Sequence, residues 1–479
     1  MASSSLATGA RWVSTRSSCT PRSSASGSIS TDRLGLVWFR RDLRLDDQPA
    51  LAAALASGRP VACAFVLDPG VFSGEDEASA RVQFLLEGLR DLDRRLRERG
   101  GGLIVRRGDG ADVIAALAHE LGAAEVHACA DGEPYALARD ARAGAACAAL
   151  GAPLTLHHDQ TLVAHDRIRS AEGQPYRTYS AYARAVARVL DDEPVATTTL
   201  ELRGRLRPTE HAADVPELDE LGVTGSIRGT LRGGETAGLA ALRAWRDGGG
   251  LARYAAQRDD VGQPDATSHL SPYLKLGMLS PRRCAGVARD ANARKWAAEL
   301  LWRDWFKYVL HQHPDLARVS VDPRFERVTW PGDDADFAAW CRGETGFGLV
   351  DAGMRQLGET GYQPNRIRMV CASFLCKHLH VDWRRGERWY RSQLIDGDLS
   401  SNAGGWQWVA GTGLDAAPYF RVLNPLLQEK RFDVQGRYVA RWAPDRPEPI
   451  LDLARERERA LELYRAARTD NDDDRKAAR

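Results

Sequence analysis

The sequence predicts an α/β fold class: an N-terminal doubly wound parallel sheet, a long linker and a C-terminal all-helical domain. Short apolar runs alternate with helical stretches up to about Leu162, and such alternation implies a parallel sheet. Residues 163–235 mix a tyrosine-rich segment with a stretch rich in Pro, Gly and Thr, as a connector would. From Thr236 onward helical periodicity dominates and strand signals are scarce. The predicted domains are therefore 33–162, 163–235 and 236–479, after a leader, 1–32, that we expect to be disordered.

The elements of the first domain are predicted from short apolar runs and from helical periodicity. The predicted strands are residues 34–39, 61–67, 102–105 and 125–128. The predicted helices between these strands are residues 49–55, 82–97 and 111–121. No internal repeat is visible in the sequence.

The composition is that of a soluble globular protein, with 43% apolar and 27% charged residues in a chain of 479. This length is enough for about two or three domains and a large buried core. The formal net charge is only +1, so no overall basic field points to nucleic acid. Any DNA binding must come from a local patch, such as the arginines between 384 and 391 or the basic residues between 430 and 441. No apolar run reaches transmembrane length, and we expect no membrane contact.

Cysteine usage and the first residues bear on metal binding and location. The eight cysteines include no Cys-x-x-Cys pair, which argues against a zinc site and an iron–sulfur cluster and predicts buried thiols in a reducing compartment. Residues 1–30 are rich in serine, carry three arginines and contain no acid, a composition similar to an organellar transit peptide. A disordered tail, or a start codon assigned too early, is the interpretation we favour. The predicted location is the cytoplasm of a bacterium.

Residues 393–408 contain an unusual density of polar and aromatic groups. The run holds the acids Asp396 and Asp398, the amide Asn402 and the indoles Trp406 and Trp408. The two acids flank a glycine, so both can converge on one polar ligand while the backbone approaches closely, and the amide can donate and accept. An exposed acidic turn followed by a core tryptophan pair is the alternative. The pattern favours a binding site for a polar heterocycle.

This run, together with residues 415–425, strongly resembles the flavin-binding region of the DNA photolyase/cryptochrome family. Residues 37–45 read VWFRRDLRL, which is similar to the first strand and turn of that family. The resemblance covers residues 34–442 and a final helix near 448–468, and it is closest to the class I cyclobutane pyrimidine dimer photolyases. It implies an N-terminal antenna domain and a helical domain that binds FAD and damaged DNA.

The resemblance implies a set of FAD-binding residues in the helical domain. In isolation residues 267–272 would be merely a good helix cap, but hydroxyls and amides at a helix start can bind a pyrophosphate. Trp296, Glu299 and Arg303 recur at three- and four-residue steps and so share one helix face. The acids of the 393–408 run would hold the isoalloxazine edge and the ribityl chain, and Asn402 would face flavin N5. The implied set is Tyr254, Thr267, Ser268, His269, Leu270, Ser271, Trp296, Arg303, Arg368, Asp396, Asp398 and Asn402.

Photolyases take a damaged dinucleotide out of the duplex, and such a pocket needs an aromatic wall and polar groups for the pyrimidine edges. The catalytic residues implied by the resemblance are Glu299, Asn365, Met369, Trp302 and Trp408. The implied DNA contacts are Arg258, Trp302, Arg366 and Trp408. Gln363 and Pro364 stand where relatives have Met-His, and a proline disfavours helix in the residue before it, which would shift the helix start.

The family reduces its flavin along three tryptophans, and Trp330, Trp383 and Trp406 occupy the matching positions. A single tryptophan is far more often a core residue than an electron carrier. Three tryptophans in register with the motif favour the carrier interpretation.

The N-terminal domain is expected to hold a second chromophore. The set Phe65, Asp68, Arg81, Asp131, Glu133 and Lys275 looks like the set of relatives that bind 8-hydroxy-5-deazaflavin. Flavin mononucleotide or methenyltetrahydrofolate are the alternatives, although the folate-binding relatives carry a different pattern near 131–135. A set of plain surface charges is the remaining interpretation.

We therefore predict a light-driven lyase that splits cyclobutane pyrimidine dimers in DNA, acting as a monomer without an obligate protein partner. A (6-4) photolyase is one alternative, disfavoured by Met369 and by the absence of the histidine pair that such enzymes place near Pro364 and Asn365. A cryptochrome-type blue-light sensor acting through a protein partner is the other. Plant-type sensors usually have aspartate where Asn402 stands, and sensors commonly extend far past the flavin domain.

Overall fold

The N-terminal domain is built on a parallel sheet, as predicted. The computed structural model describes residues 33–72, 79–210, 213–223, 231–445 and 447–477, so the predicted leader, 1–32, lies outside the described residues. The strands are β1 (Gly35–Phe39), β2 (Val61–Leu67), β3 (Leu103–Arg107), β4 (Glu125–Cys129) and β5 (Leu154–His157). Within the described part, they pair in the order β3-β2-β1-β4-β5 and every pair is parallel. Every residue of β1 and β2 is buried, as a sheet covered on both faces requires.

The helices that cover this sheet are α1 (Pro49–Ala56), α2 (Pro69–Phe72), α3 (Ser79–Arg97), α4 (Gly110–Glu120) and α5 (Pro134–Ala149). Two of them begin at clear sequence signals. Gln48 caps α1 by accepting from the Leu51 amide, with Pro49 at the first helical position, and Asp109 caps α4. The sequence did not predict β5 and α5, because β5 has only four residues and α5 consists mainly of alanine and arginine.

The predicted linker contains regular structure. It includes α6 (Tyr179–Asp192), whose Tyr182 is buried against the helical domain. Leu206 forms an isolated parallel bridge with Val61 at the start of β2. The linker therefore packs on both domains. A helix was not expected there, since the tyrosine-rich segment was interpreted as connector.

From residue 235 onward the described chain is helical and contains no strand. Its helices are α7 (Glu235–Asp247), α8 (Gly250–Gln257), α9 (Ser271–Lys275), α10 (Pro281–Asp290), α11 (Arg294–Gln312), α12 (Asp334–Arg342), α13 (Gly348–Thr360), α14 (Asn365–Lys377), α15 (Trp383–Gln393), α16 (Leu399–Ala410), α17 (Pro425–Phe432), α18 (Arg437–Trp442) and α19 (Leu453–Ala477). Pro364 is the cap residue of α14, so this helix starts directly at Asn365. Where the structure describes the chain, every helix is too short or too polar to cross a bilayer.

The core of the helical domain forms around α14, which packs against α13, α15 and α16. Val370, Phe374 and Leu375 of α14 are completely buried. This packing fixes the exposed beginning of α14 and the loop between α15 and α16 relative to each other. Many of the residues expected to bind FAD and the lesion lie on these two segments, on α11 and on α16.

Candidate functional site

A cavity of about 570 Å³ lies in the helical domain. Its walls come from α11, α14 and α16, from Tyr390 on α15, and from the segments around 268–275 and 394–398. These are the segments on which the sequence placed the FAD and lesion residues. A volume of this size lies within the range of cofactor and ligand pockets, about 300 to 1,000 Å³.

One face of α11 supplies a wall of this cavity. Trp296, Glu299, Trp302, Arg303 and Phe306 all line it, as their three- and four-residue spacing requires. The opposite face packs into the core, where Trp305, Tyr308 and Val309 are buried. The helix therefore orients both aromatic and charged side chains toward one ligand space.

Asp396 is held in a fixed orientation at the cavity wall. The Arg368 guanidinium lies 3.0 and 2.9 Å from its two oxygens, and the Ser271 hydroxyl donates to it at 2.6 Å. Burial lowers the pKa of Arg368, but Asp396 raises it, and the net pKa is above the ordinary value. Arg368 also donates to the Gln363 carbonyl. Arg368 therefore stays charged, and the pair presents an oriented polar edge.

Asp398 lines the cavity and is surrounded by three cationic side chains. It caps α16 by accepting from the Ser401 amide, and it is within 3.7 Å of Lys275 Nζ and 3.2 Å of Lys307 Nζ, with a further ion pair to Arg41. Burial raises the pKa of Asp398, but Lys307, Lys275 and Arg41 lower it, and the net pKa is well below its usual range. Asp398 is therefore a carboxylate at any physiological pH.

Asn402 presents its amide oxygen to the cavity. Its side-chain nitrogen donates to the Glu387 backbone carbonyl at 2.9 Å and to the Glu387 carboxylate at 3.0 Å. Both partners are acceptors, so the NH₂ group must point toward Glu387. The amide oxygen of Asn402 is thus available to accept a hydrogen bond from an N–H group of a ligand.

Most of the expected FAD residues border the cavity, and three do not. Those that line it are Ser268, Leu270, Ser271, Trp296, Arg303, Arg368, Asp396, Asp398 and Asn402. Tyr254 is buried behind the wall with its ring edge-on to Trp245. Thr267 lies 3.5 Å from the Tyr362 hydroxyl, and His269 packs on the Tyr362 ring while its Nε2 contacts the Pro264 carbonyl. These three support the wall rather than border the cavity.

All five expected catalytic residues line the same cavity. Glu299 forms an ion pair with Arg258, and the Asn365 side chain lies 3.8 Å from the Met369 sulfur. Trp302 is stacked on Tyr179, with ring centroids 3.6 Å apart and planes 7° from parallel. Tyr179 does not line the cavity, so it covers the far face of the indole.

The two arginines expected at DNA also line the cavity, and each is already paired with an acid. Arg258 binds Glu299, and Arg366 lies 2.9 Å from Asp259 with its guanidinium over the Phe432 ring. The Arg421 guanidinium lies over the Trp408 ring, 5.8 Å from its centroid. The cavity rim therefore combines arginines with aromatic faces, the combination that single-stranded nucleic acid prefers.

The three expected electron carriers pack in one hydrophobic cluster with graded burial. Trp406 lines the cavity, Trp383 is completely buried, and Trp330 is partly exposed. Gly386, one turn after Trp383, is where the Trp406 ring packs against α15. The Trp406 ring therefore lies beside the helix face that carries Trp383. Two of the three indoles, Trp406 and Trp383, are thus buried, and the third, Trp330, reaches solvent.

Replacing Gly386 with alanine is expected to destabilise the helical domain, because the added Cβ would overlap the Trp406 ring and Leu375. Overpacking of this kind costs about 1 to 3 kcal/mol. The free energy of unfolding by denaturant measures the effect. Gly358→Ala in the neighbouring α13 is the control, since its Cβ would meet open space and alanine favours a helix. A Gly386→Ala protein as stable as the control would contradict this packing.

The residues expected to bind a second chromophore are dispersed over the interface between the domains. Phe65 is buried in β2, and Asp68 accepts from the Tyr135 hydroxyl at 2.7 Å. The Arg81 side chain donates to the backbone carbonyls of Arg391 and Leu394, at 2.9 and 2.8 Å. Asp131, Glu133 and Lys275 take part in ion pairs around Arg41. Within the described structure Lys275 also lines the central cavity.

Sequence reasoning missed several residues at this site. Arg41 and Lys307 both contact Asp398, and Tyr179 backs Trp302. Lys307 had a signal, because it lies four residues after Arg303 on α11 and so on a nearby face. Arg41 stands within the 37–45 motif, whose resemblance to the family concerns only the first strand and turn.

The residues present fit a flavin. A tricyclic ring with polar edges needs flat apolar contact and oriented donors and acceptors, and the cavity offers Trp296, Phe306 and Trp406 beside Asp396, Arg368 and Asn402. The buried acids are each balanced by a cation. The site thus combines flat apolar contact with oriented, charge-balanced polar groups, as a flavin requires.

Comparison with known proteins agrees with this geometry. Residues 35–200 match the DNA photolyase family, and residues 296–448 match the family described as the FAD binding domain of DNA photolyase. The deoxyribodipyrimidine photo-lyase of Thermus thermophilus is 41% identical over 438 residues, covering 90% of this chain and 98% of the relative. That of Synechococcus is 38% identical, covering 86% of this chain and 87% of the relative.

Solved structures with the same fold include two photolyases and a cryptochrome. A class III photolyase from Agrobacterium tumefaciens superposes with a TM-score of 0.84 at 32% identity, covering 93% of this chain and 100% of the other. A photolyase from Sulfolobus tokodaii with two FAD molecules gives 0.79 at 27%, and a Synechocystis cryptochrome gives 0.81 at 28%, each covering 90% of this chain and 99% of the other. With matches to both family domains and with relatives aligned over nearly their full length, this chain belongs to the DNA photolyase family.

Proposed function

We propose that this photolyase repairs DNA by splitting cyclobutane pyrimidine dimers under blue light, with FAD and the dimer side by side in the central cavity. The observation that carries the proposal is the gradient of exposure along one cavity. Asp396 and Asp398 have side chains only 5% and 8% exposed, whereas Glu299 is 31% exposed and Asn365 lies at the surface. The charged residues suit an enclosed cofactor, and the partly exposed aromatic and polar residues suit a damaged dinucleotide that enters from solvent.

When bound and reduced, FAD supplies on excitation the electron that opens the cyclobutane ring and takes it back, so there is no net redox change. Asp396, held by Arg368 and Ser271, orients the polar edge of the ring system. The amide oxygen of Asn402 would accept a hydrogen bond from N5–H of the reduced flavin, since its NH₂ group is engaged by Glu387. These side chains are fixed before the ligand binds, which lowers the cost of ordering them.

The lesion residues bind a dinucleotide that has left the duplex. Trp302 and Trp408 provide flat faces, and base stacking on an aromatic side chain contributes about 1 to 3 kcal/mol per base. Glu299 hydrogen-bonds a pyrimidine edge and Asn365 lies near both base and flavin. Arg258 holds the Glu299 carboxylate in place. Met369 belongs to the same wall and is typical of the cyclobutane-dimer class.

The test is a repair assay on the purified protein. Its absorption spectrum is recorded first, and oligonucleotides that carry either a cyclobutane dimer or a (6-4) photoproduct are then illuminated with blue light or kept in the dark. We expect bound flavin and light-dependent loss of the cyclobutane dimer only. Repair of the (6-4) product alone would establish a (6-4) photolyase. Bound flavin without repair of either lesion would favour a cryptochrome-type blue-light sensor.

A second chromophore, 8-hydroxy-5-deazaflavin, is proposed for the carboxyl edge of the sheet. Asp68 follows β2 and Asp131 follows β4, on either side of the arginines that follow β1. Ligands of parallel sheets bind at such an edge. The Sulfolobus neighbour, a photolyase with two FAD molecules, supports the proposal of a second cofactor. Flavin mononucleotide and methenyltetrahydrofolate remain the alternatives.

Reconstitution with 8-hydroxy-5-deazaflavin is expected to add a visible absorption band and to raise the repair rate under light that reduced flavin absorbs poorly. Asp131→Asn should weaken this binding, because it removes a carboxylate of the proposed site. Arg142→Gln, a solvent-exposed arginine of the same domain, is the control. Uptake of methenyltetrahydrofolate with no uptake of the deazaflavin would overturn the assignment and leave the repair proposal untouched.

The proposed partner is damaged DNA, bound by a monomer in the bacterial cytoplasm. Arg258, Trp302, Arg366 and Trp408 border the cavity and are the proposed contacts to the lesion strand. Since each arginine is partly buried in an ion pair, we assign both to the extracted nucleotides rather than to the duplex surface. Sedimentation of the free protein and of its DNA complex tests the monomer.

A further inference from the structure

Arg41 links the N-terminal domain to residues 391–398. This segment carries the proposed flavin residues Asp396 and Asp398, and we call it the flavin segment. It follows β1, and its guanidinium forms ion pairs with Glu133, with Asp131 at 3.3 Å, and with Asp398 at the start of α16. Its Nε also donates to the backbone carbonyl of Lys275 at 3.3 Å. One side chain therefore contacts the loop after β4 and the flavin segment at once.

Two lysines complete a closed set of charges around Arg41. Lys275 lies 3.4 Å from Glu133 and 3.7 Å from Asp398, and Lys307 lies 3.2 Å from Asp398. We call Arg41, Asp131, Glu133, Lys275, Lys307 and Asp398 the interdomain ion network. It balances three cations against three anions, and its members are mostly buried. A buried network of this kind is destabilised when one member is removed, because its partner charges are left uncompensated.

An arginine is needed at the centre of this network. Its planar guanidinium contacts carboxylates on two sides at once, which the compact ammonium of a lysine does less well. Burial lowers the pKa of Arg41, but Asp131, Glu133 and Asp398 raise it, and the net pKa is above the ordinary value. Arg41 therefore remains charged while it spans the domain interface.

A second arginine of the N-terminal domain contacts the same segment from another side. Arg81 on α3 donates to the carbonyl of Arg391, in the last turn of α15, and to that of Leu394, just after this helix. An added Cβ at Gly397 would collide with the Arg81 guanidinium. The segment 391–398 is thus attached to the N-terminal domain through its backbone by Arg81 and through Asp398 by Arg41.

We infer that Arg41 is a positioning residue that fixes Asp398 for flavin binding and couples the flavin site to the second chromophore site. This inference rests on the proposed function, which assigns Asp398 to FAD. Arg41 pairs with Asp398 on one side and with two residues of the proposed chromophore site, Asp131 and Glu133, on the other. A ligand that draws these two acids away from Arg41 strengthens its pairing with Asp398. Such coupling is reciprocal by thermodynamic necessity.

The test measures FAD affinity in purified Arg41→Gln protein. Loss of the central cation is expected to raise the dissociation constant of FAD about tenfold, a size typical of coupled sites. Arg283→Gln is the matched control, because Arg283 pairs with Asp46 of the same β1–α1 loop across the same interface but does not contact the flavin segment. It should bind FAD like the wild type.

A double-mutant cycle separates positioning from a general structural effect. In an Asp398→Asn background, Arg41→Gln should change FAD affinity little, because its route to the flavin runs through that carboxylate. Additive effects of the two substitutions would overturn the inference. If Arg41→Gln does not fold, Arg41→Lys replaces it in the same cycle, with circular dichroism as the folding check.

The coupling has its own measurement. In the wild type, saturation with 8-hydroxy-5-deazaflavin should change the dissociation constant of FAD severalfold, and Arg41→Gln should remove this dependence. Equal FAD affinity in Arg41→Gln, Arg283→Gln and the wild type would overturn the inference while dimer repair by the wild type still stood. Wild-type protein that binds FAD but repairs no dimer would overturn the proposed function alone.

Discussion

Replacing Glu299 with alanine is expected to remove most of the dimer repair while FAD stays bound. The carboxylate lines the central cavity, and the proposal assigns it to the lesion rather than to the residues that hold the cofactor. The loss of one positioned hydrogen bond to a developing charge typically costs about 2 to 4 kcal/mol in a preorganised site. Repair quantum yield on the bound complex measures the effect, and the flavin spectrum measures cofactor content. Asn365→Ala should behave similarly.

The ion pair between Glu299 and Arg258 requires a further control. Alanine leaves Arg258 without this partner, so some of the loss would come from a displaced arginine. Glu299→Gln keeps a hydrogen-bonding group of the same shape and removes only the charge. We expect its repair yield to lie between the wild type and Glu299→Ala. Unchanged yield in both Glu299→Ala and Asn365→Ala would contradict the assignment of these side chains to the lesion.

Local periodicity predicted the parallel sheet and the shared face of α11, whereas most of the cavity residues were implied by the family resemblance. The parallel sheet followed from apolar runs separated by helical stretches, and the residues of α11 share one face because an α-helix repeats every 3.6 residues. The acids and amide of the 393–408 run border one cavity because they flank the start of a single helix, α16. Each of these predictions depends on residues that are close in sequence.

Contacts between distant segments could not be predicted in this way. Arg41 is 357 positions from Asp398, and no pattern in either segment indicates that they form an ion pair. Tyr179 was interpreted as part of a connector, although its ring stacks on Trp302 and its hydroxyl donates to the Ala298 carbonyl on α11. Three of the residues grouped by resemblance around a second chromophore, Asp131, Glu133 and Lys275, take part in ion pairs around Arg41, a partner that the sequence did not reveal.

Sequence spacing does not connect the three tryptophans either. Tryptophans 330, 383 and 406 lie on separate segments, and a single indole in a helix is usually a core residue. Trp383 is completely buried, yet its Nε1 has no hydrogen-bond partner. A buried indole whose N–H donates to no acceptor contributes only packing. The N–H group of Trp383 therefore gives no structural reason for tryptophan rather than phenylalanine at this position. That observation makes Trp383 the most informative position to replace.

Trp383→Phe is expected to nearly abolish the light-driven reduction of oxidised FAD and to leave dimer repair intact once the flavin is reduced chemically. Phenylalanine keeps an aromatic ring in the core and removes no hydrogen bond, while its ring is much harder to oxidise than an indole. Photoreduction is followed by the loss of oxidised-flavin absorption with an external thiol donor. Trp330→Phe should slow the same photoreduction, because it removes the partly exposed tryptophan of the three proposed carriers.

Trp340→Phe is the matched control for this experiment. Trp340 is equally buried and its ring lies edge-on to Trp406, with centroids 6.2 Å apart, but it is not among the proposed carriers. Its Nε1 donates to the Cys371 carbonyl, so its loss should lower stability and leave photoreduction in place. The opposite result, with photoreduction lost in Trp340→Phe and retained in Trp383→Phe, would place electron transfer on a branch through Tyr390 and Trp340, whose rings also contact Trp406.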